Sequence, residues 1–346
     1  MYINFVFKEN KYNNIAKWLL LITFLVGLMI FVGGLTRLTD SGLSITKWNL
    51  FSGILPPFSI EKWEKTFSLY KEIPEYYLKN SSMTLSEFKV IFWWEYAHRL
   101  LGRIIGIFYI VPLFYFTIKK KLKRNTLFSL YIILLLILLQ GFVGWYMVVS
   151  GLTEKTDVSH YRLSLHLTLA FIIYIILFWN FLRYKYVNTS QSYSMLPKYI
   201  LVFFLVIILI QISIGALVSG LDAGQIYNSW PLMNSSYYPD DSNLRILFSP
   251  QAFEIPSVVQ FIHRNIAYFI FIFYLFILYT IVKNDKLKNL KGIALLIFVL
   301  LFIQILLGIF TILSGTNIVL ASLHQMGSIF LVTAYLILIF RNSKIN

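Results

Sequence analysis

The sequence predicts an all-α integral membrane protein, with eight transmembrane helices in two parallel-oriented four-helix repeats and both termini on the cytoplasmic side. Three observations carry that expectation. Charged residues make up only 13% of the 346 residues while apolar residues make up 58%, about half the charge a soluble domain uses to face water. Eight apolar runs stand out, and cations are confined to alternate connections between them. The same polar residues recur in both halves of the chain.

The runs fall at roughly 18–36, 90–117, 127–149, 163–182, 199–219, 257–282, 293–313 and 320–340. Each is about 19 residues or longer, enough to span a hydrocarbon layer about 30 Å thick. The first run is too long for a signal peptide's apolar core. No small-residue cleavage site follows it, and Gly33-Gly34-Leu35-Thr36-Arg37 leads straight into a loop. Two connections, about 37–89 and 220–256, are long and rich in Trp, Pro, Tyr and Gly.

The formal charge is +15. The N-terminus and every second connection hold 17 basic residues (among them Lys8, Lys11, Lys17, Lys119–Lys121, Lys123, Arg124, Arg183, Lys185, Lys198, Lys283, Lys286, Lys288, Lys291, Arg341 and Lys344) against Glu9 and Asp285. The remaining 13 basic and 13 acidic residues cancel. Cations beside helix ends mark the cytoplasmic side, so the excess is an orientation signal and no nucleic-acid partner is implied. With no cysteine, disulfides, iron–sulfur clusters and thiolate chemistry are excluded.

The repeat divides the chain into 1–190 and 191–346. Trp94–Arg99 parallels Val259–Arg264, with His98 matching His263. Gln140, Gly144, Ser150 and Gly151 parallel Gln304, Gly308, Ser314 and Gly315, and Ser164-Leu165-His166 parallels Ser322-Leu323-His324. Four helices per repeat is an even number, so the halves share orientation and an axis along the membrane normal would relate them.

Each half thus offers two histidines on helices entering from the same side. His98 and His263 lie about 12 and 9 Å inside their spans, and His166 and His324 lie near the start of theirs. Ionisable groups inside a membrane are costly and mark function, and two imidazoles on facing helices can hold a haem iron. Gly102, Gly106, Ala97, Ala267 and Gly327 would leave room for a flat macrocycle. Zinc fits less well, because no acids cluster with the histidines. Taken singly, each histidine could equally be an interhelical hydrogen-bonding residue. His160 matches His324 at the ungapped offset, but only His166 has the Ser-Leu-His context; His160 is expected as a solvated loop residue. Glu95, one turn outward from His98, is matched by Gln260. A carboxylate at one site and an amide at the other would suit a reacting site and an electron-transfer site, with Glu95 accepting a proton or stabilising positive charge. The alternative for Glu95 is an ion pair with Arg99 or Arg103. Arg99 and Arg264 could pair with haem propionates, or contact lipid headgroups.

Gly33–Thr39 with Ser41–Ser44 and Trp48, Glu95–Arg99, Gln140-Gly141 to Leu152, and Gly215–Val218 to Ala223-Gly224 with Asn228-x-Trp230-Pro231-Leu232-Met233 resemble the haem A synthase family over nearly the whole chain. The likeness is to the branch of mitochondria and alphaproteobacteria. The other branch carries a cysteine pair, and its thiol relay could not operate here. The resemblance implies a membrane oxidoreductase of the inner (cytoplasmic) membrane that converts the C8 methyl group of haem o to a formyl group, giving haem a for terminal oxidases. It implies two successive oxidations, to the alcohol and then to a gem-diol that loses water. It further implies haem b as cofactor on His263 and His324, with Arg264 beside it, and haem o between His98 and His166 with Glu95 catalytic, all toward the outer face. Haem o synthase and oxidase assembly factors are the implied partners, with an electron acceptor of no recognisable motif; a homo-oligomer is admitted. The competing expectations are a di-haem b electron-transfer cytochrome linked to quinone, and a transporter or assembly factor without redox chemistry.

Overall fold

The computed structural model describes residues 12–48, 52–120, 122, 124–152, 156–186 and 196–343. Lys8, Glu9, Lys11, Lys121, Lys123, Lys344 and the 190/191 boundary lie outside the described residues.

Ten α-helices follow in chain order among the described residues: α1 (Asn13–Leu38), α2 (Ile60–Tyr70), α3 (Pro74–Lys79), α4 (Leu85–Ile118), α5 (Arg124–Leu152), α6 (His160–Lys185), α7 (Lys198–Gly220), α8 (Pro256–Lys283), α9 (Lys291–Leu313) and α10 (Ile318–Asn342). All but α2 and α3 are long and apolar enough to cross a membrane, so all eight expected spans are present in a multi-pass membrane protein. Helix α4 starts five residues before the expected 90, because Thr84 and Glu87 form a capping box: the Thr84 hydroxyl accepts from Glu87 N and the Glu87 carboxylate accepts from Thr84 N. Proline at the first helical position starts α3 and α8.

Helices α1, α4, α5 and α6 pack in a ring, each against the next, and α7, α8, α9 and α10 form a second ring. The rings meet through α6 against α7, α1 against α10 and α6 against α10. Buried tyrosines tie neighbours together in matching places. Tyr109 on α4 donates to Leu130 O on α5 at 2.8 Å, and Tyr274 on α8 donates to Ala294 O on α9 at 2.7 Å. Between the rings, Tyr174 and Thr333 share a hydrogen bond of 2.7 Å, and Gln325 donates to Ile30 O at 2.7 Å. Helices α2 and α3, unforeseen from the sequence, fold the long 39–84 connection into a cap. Trp63, Phe67, Tyr70, Phe88 and Phe92 are buried together there with Leu43.

The cap holds a buried carboxyl. Glu75 is 3% exposed, and burial, reinforced by Asp40 and Asp157, pushes its acid up to about 8. Nearby, Lys79 pairs with Asp157 at 2.6 Å.

Two paired-histidine sites

In the first ring, α4 and α6 stand opposite each other with α1 and α5 as side walls. His98 on α4 and His166 on α6 face each other with ring centroids 6.5 Å apart. In the second ring, His263 on α8 and His324 on α10 face each other 6.5 Å apart, with α7 and α9 as side walls. The four histidines singled out in the sequence are brought together two by two. His160 joins neither pair. It is the first residue of α6 rather than a loop residue, and its Nε2 lies 3.5 Å from Glu254 Oε2.

Each ring leans on a glycine of a side wall. A Cβ on Gly33 (α1) would sit 3.1 Å from His98, on Gly144 (α5) 3.0 Å from His166, on Gly215 (α7) 3.0 Å from His263, and on Gly308 (α9) 3.1 Å from His324. Glycine lets imidazole and backbone approach at these four places. The macrocycle room expected at Gly327 is taken: a Cβ there would meet Gln304 Oε1 at 2.2 Å. Gly106 has nothing within 4 Å of that position, and Gly102 only Met29 Cε at 3.3 Å.

Glutamines four residues before three of these glycines hold the histidine helices. Gln140 donates to His166 O at 3.0 Å, Gln304 to His324 O at 2.9 Å and Gln211 to His263 O at 3.0 Å. Gln211 was not singled out from the sequence, although Gln211–Gly215 is a third Gln-x-x-x-Gly. The fourth place, before Gly33, is Met29. His324 Nδ1 lies 3.0 Å from Gln304 O. As a donor there it leaves Nε2 as the free lone pair.

The acidic end of the first site differs from its counterpart. Glu95 is 3% exposed. Its Oε2 accepts from Ser44 Oγ and Ile45 N, both at 2.7 Å, and its Oε1 accepts from Arg99 Nε at 2.9 Å and Nη2 at 2.5 Å. The ion pair weighed for Glu95 is therefore present, with Arg99. In the second site, Gln260 Nε2 and Arg264 Nη2 share Tyr227 O at 3.1 and 3.0 Å. Gln260 Oε1, Arg264 Nε and His263 Nδ1 are buried without a hydrogen-bond partner.

Fold and site define a class: a polytopic helical membrane protein with two paired-histidine sites, one beside a carboxylate ion-paired to Arg99 and the other beside an amide and the Arg264 guanidinium. The chain belongs to the COX15-CtaA family of cytochrome oxidase assembly proteins, whose profile matches residues 16–336. It is similar to "Heme A synthase" of Pelagibacter ubique, 47% identical over 340 residues that cover 98% of this chain and 100% of that one. It is also similar to "Heme A synthase" of Rickettsia bellii, 44% identical over 325 residues covering 92% and 96%.

The residues present fit a haem at each pair. Metal–imidazole bonds of about 2 Å on either side of one ion, plus the two ring radii, agree with centroids 6.5 Å apart. Among the described residues no group of three or more His, Cys, Asp or Glu is arranged to hold a metal ion; paired nitrogens suit an ion whose other donors come with it, as in a porphyrin. The unpartnered Arg264 Nε is a donor that an acid group of a bound molecule would satisfy.

Proposed function

We propose that this protein is a haem A synthase in which the first ring holds the substrate and the second the cofactor. It is a membrane oxidoreductase that converts haem o to haem a and serves oxidase assembly; relatives at 42–47% identity are named "Heme A synthase", and the matching family is one of cytochrome oxidase assembly proteins. Our reading of the parts is finer. Residues 1–190 form the half that receives haem o between His98 and His166. Residues 191–346 form the half that keeps haem b between His263 and His324. The packing supports a two-fold relation between the halves, since every neighbour pair within one ring has its counterpart in the other.

The observation that carries the division of labour is Glu95 against Gln260. A buried carboxylate beside one pair, held by Arg99, places a fixed ion-pair dipole where the methyl group is oxidised. The amide at the matching place adds no charge beside a group that only passes electrons. Haem b, when bound, supplies a one-electron carrier. The protein's own residues do the rest. His98 and His166 orient the substrate ring. Gly33 and Gly144 let both imidazoles sit against the wall helices. Arg264 is the donor for a propionate of the cofactor. The cation-bearing helix ends support a cytoplasmic placement of both termini in the inner membrane, with both sites toward the outer face. Haem o synthase and oxidase assembly factors are the expected partners.

Co-expression with a haem o synthase, followed by pigment extraction and mass spectrometry, tests this. Formyl-bearing haem beside one retained haem b is the expected result. Two haems b and no formyl product would overturn it in favour of a two-haem electron-transfer cytochrome.

A further inference from the structure

The Ser41–Ser44 segment is part of the resemblance, and Ser44 enters the first site through its hydrogen bond to Glu95. Ser44 and Ile45 lie in the connection after α1 and reach Glu95 from across the cap. Ser44 is 1% exposed, and with Ile45 N it supplies both hydrogen bonds to Glu95 Oε2. The same connection holds Arg99, whose Nη2 donates to Ile45 O at 2.8 Å and whose Nη1 donates to Lys47 O at 3.4 Å. The Arg99 guanidinium lies 4.9 Å from the centre of the Trp48 ring. Ile45 therefore gives its N–H to the acid and its carbonyl to the acid's counter-ion. One residue before Ser44, Leu43 is 3% exposed and anchored in the aromatic cap. A Cβ on Gly151 of α5 would sit 2.8 Å from Leu43.

Both carboxylate oxygens are thus saturated by donors fixed from two directions, the helix and the connection. A carboxylate on a helix alone keeps rotamer freedom, and side-chain ordering of that kind is costly when it must be achieved during a reaction. The second half lacks the device, since Gln260 and Arg264 share one carbonyl instead.

We propose that Ser44, with the Ile45–Lys47 backbone, is the positioning element of the reacting half. It holds the Glu95 carboxylate in a single orientation beside the His98–His166 pair, and Ser44 acts on the substrate only through Glu95. This rests on the reading that the first half receives haem o.

The test uses the full chain, co-expressed with a haem o synthase. Ser44→Ala lowers formyl-haem yield per retained haem b about tenfold, the size of one hydrogen bond to a charged group. Ser44→Thr, which keeps the hydroxyl, restores most of it. In a Glu95→Gln background, Ser44→Ala lowers the residual oxidised product no further, because partners in one unit are not additive. Independently of turnover, infrared difference spectra with labelled glutamate show the Glu95 carboxylate bands displaced in Ser44→Ala. Unmoved bands, or an equal loss in the Glu95→Gln background, would overturn the proposal. If the wild type makes no formyl haem but the bands shift, the haem o reading fails and the positioning of Glu95 by Ser44 stands.

Discussion

The two histidine pairs have the same spacing and the same glycine supports, yet they differ at their acidic ends and in one wall residue. Around His263 and His324 the protein is firmly tied, with a glutamine on each histidine carbonyl, and an amide at 260 stands beside the Arg264 guanidinium. Around His98 and His166 the carbonyl of His98 lacks its glutamine, because Met29 stands there, and a carboxylate with four donors stands at 95. A frame built twice thus keeps its histidine spacing and glycine supports in both halves and differs in the groups at one end. On the proposed assignment, the looser site with its paired carboxylate suits a ligand that arrives and leaves, and the tied site with its arginine suits a ligand that stays.

Substituting the histidines tests this contrast with the largest expected effect. His263→Ala or His324→Ala removes the haem b spectrum altogether, whereas His98→Ala leaves it intact and abolishes product. Loss of haem b in the His98 variant would erase the assignment of one pair to the cofactor. Exchanging the acid is next. Glu95→Gln cuts formyl haem by about 10²–10³-fold, as for removal of a transition-state charge partner, while haem o or its alcohol accumulates. Gln260→Glu leaves turnover chemistry in place and shifts the haem b midpoint potential downward. Adding a methyl group against the rings is smaller. Gly144→Ala and Gly308→Ala press a Cβ on imidazoles already 3.0 and 3.1 Å away, at a cost of about 1–3 kcal/mol for overpacking. Read by haem titration, the first should weaken only haem o loading and the second only haem b.

The smallest effect belongs to the cap. Glu75 has its acid pushed up to about 8 by burial and by Asp40 and Asp157, well above the ordinary carboxyl value. The native state therefore holds a proton that the unfolded chain releases. Stability from this group is complete below the ordinary value and is lost as pH rises through about 8. Glu75→Gln should flatten the fall of melting temperature between the ordinary carboxyl range and about pH 8 relative to wild type. An unchanged slope would show that the carboxyl is ionised in the fold.

Much of this was legible in the sequence. All eight spans were marked by apolar length alone, because in lipid a backbone can satisfy its hydrogen bonds only as a helix or a closed barrel. The two histidine pairs followed from the repeat, and the structure brings both together. Helix α2 could have been read, since Ser59 caps it and Trp63, Phe67 and Tyr70 recur at helical spacing on its buried face; α3 could not, because six residues are too few to carry a periodic pattern. The Ser44–Glu95 contact joins residues 51 apart, and nothing local announces a hydrogen bond across such a loop. Gln211 could have been read. The spacing to Gly215 repeats that of Gln140 to Gly144, but it lies on a helix whose partner in the other half carries Met29, so the repeat was hidden by the very substitution that distinguishes the sites.

Helix α1 has one more lesson. Gly33 adjoins His98, while a Cβ on the next residue, Gly34, would fall 1.6 Å from Gln325 Oε1, beside His324. Successive helical residues point about 100° apart, so α1 is a party wall whose two faces look into different rooms. The halves are consequently poor modules. A chimera that joined residues 1–190 of one relative to 191–346 of another would have to match at Gly34 and Gln325 as well as at the seam, and lineages are expected to inherit the two rooms together.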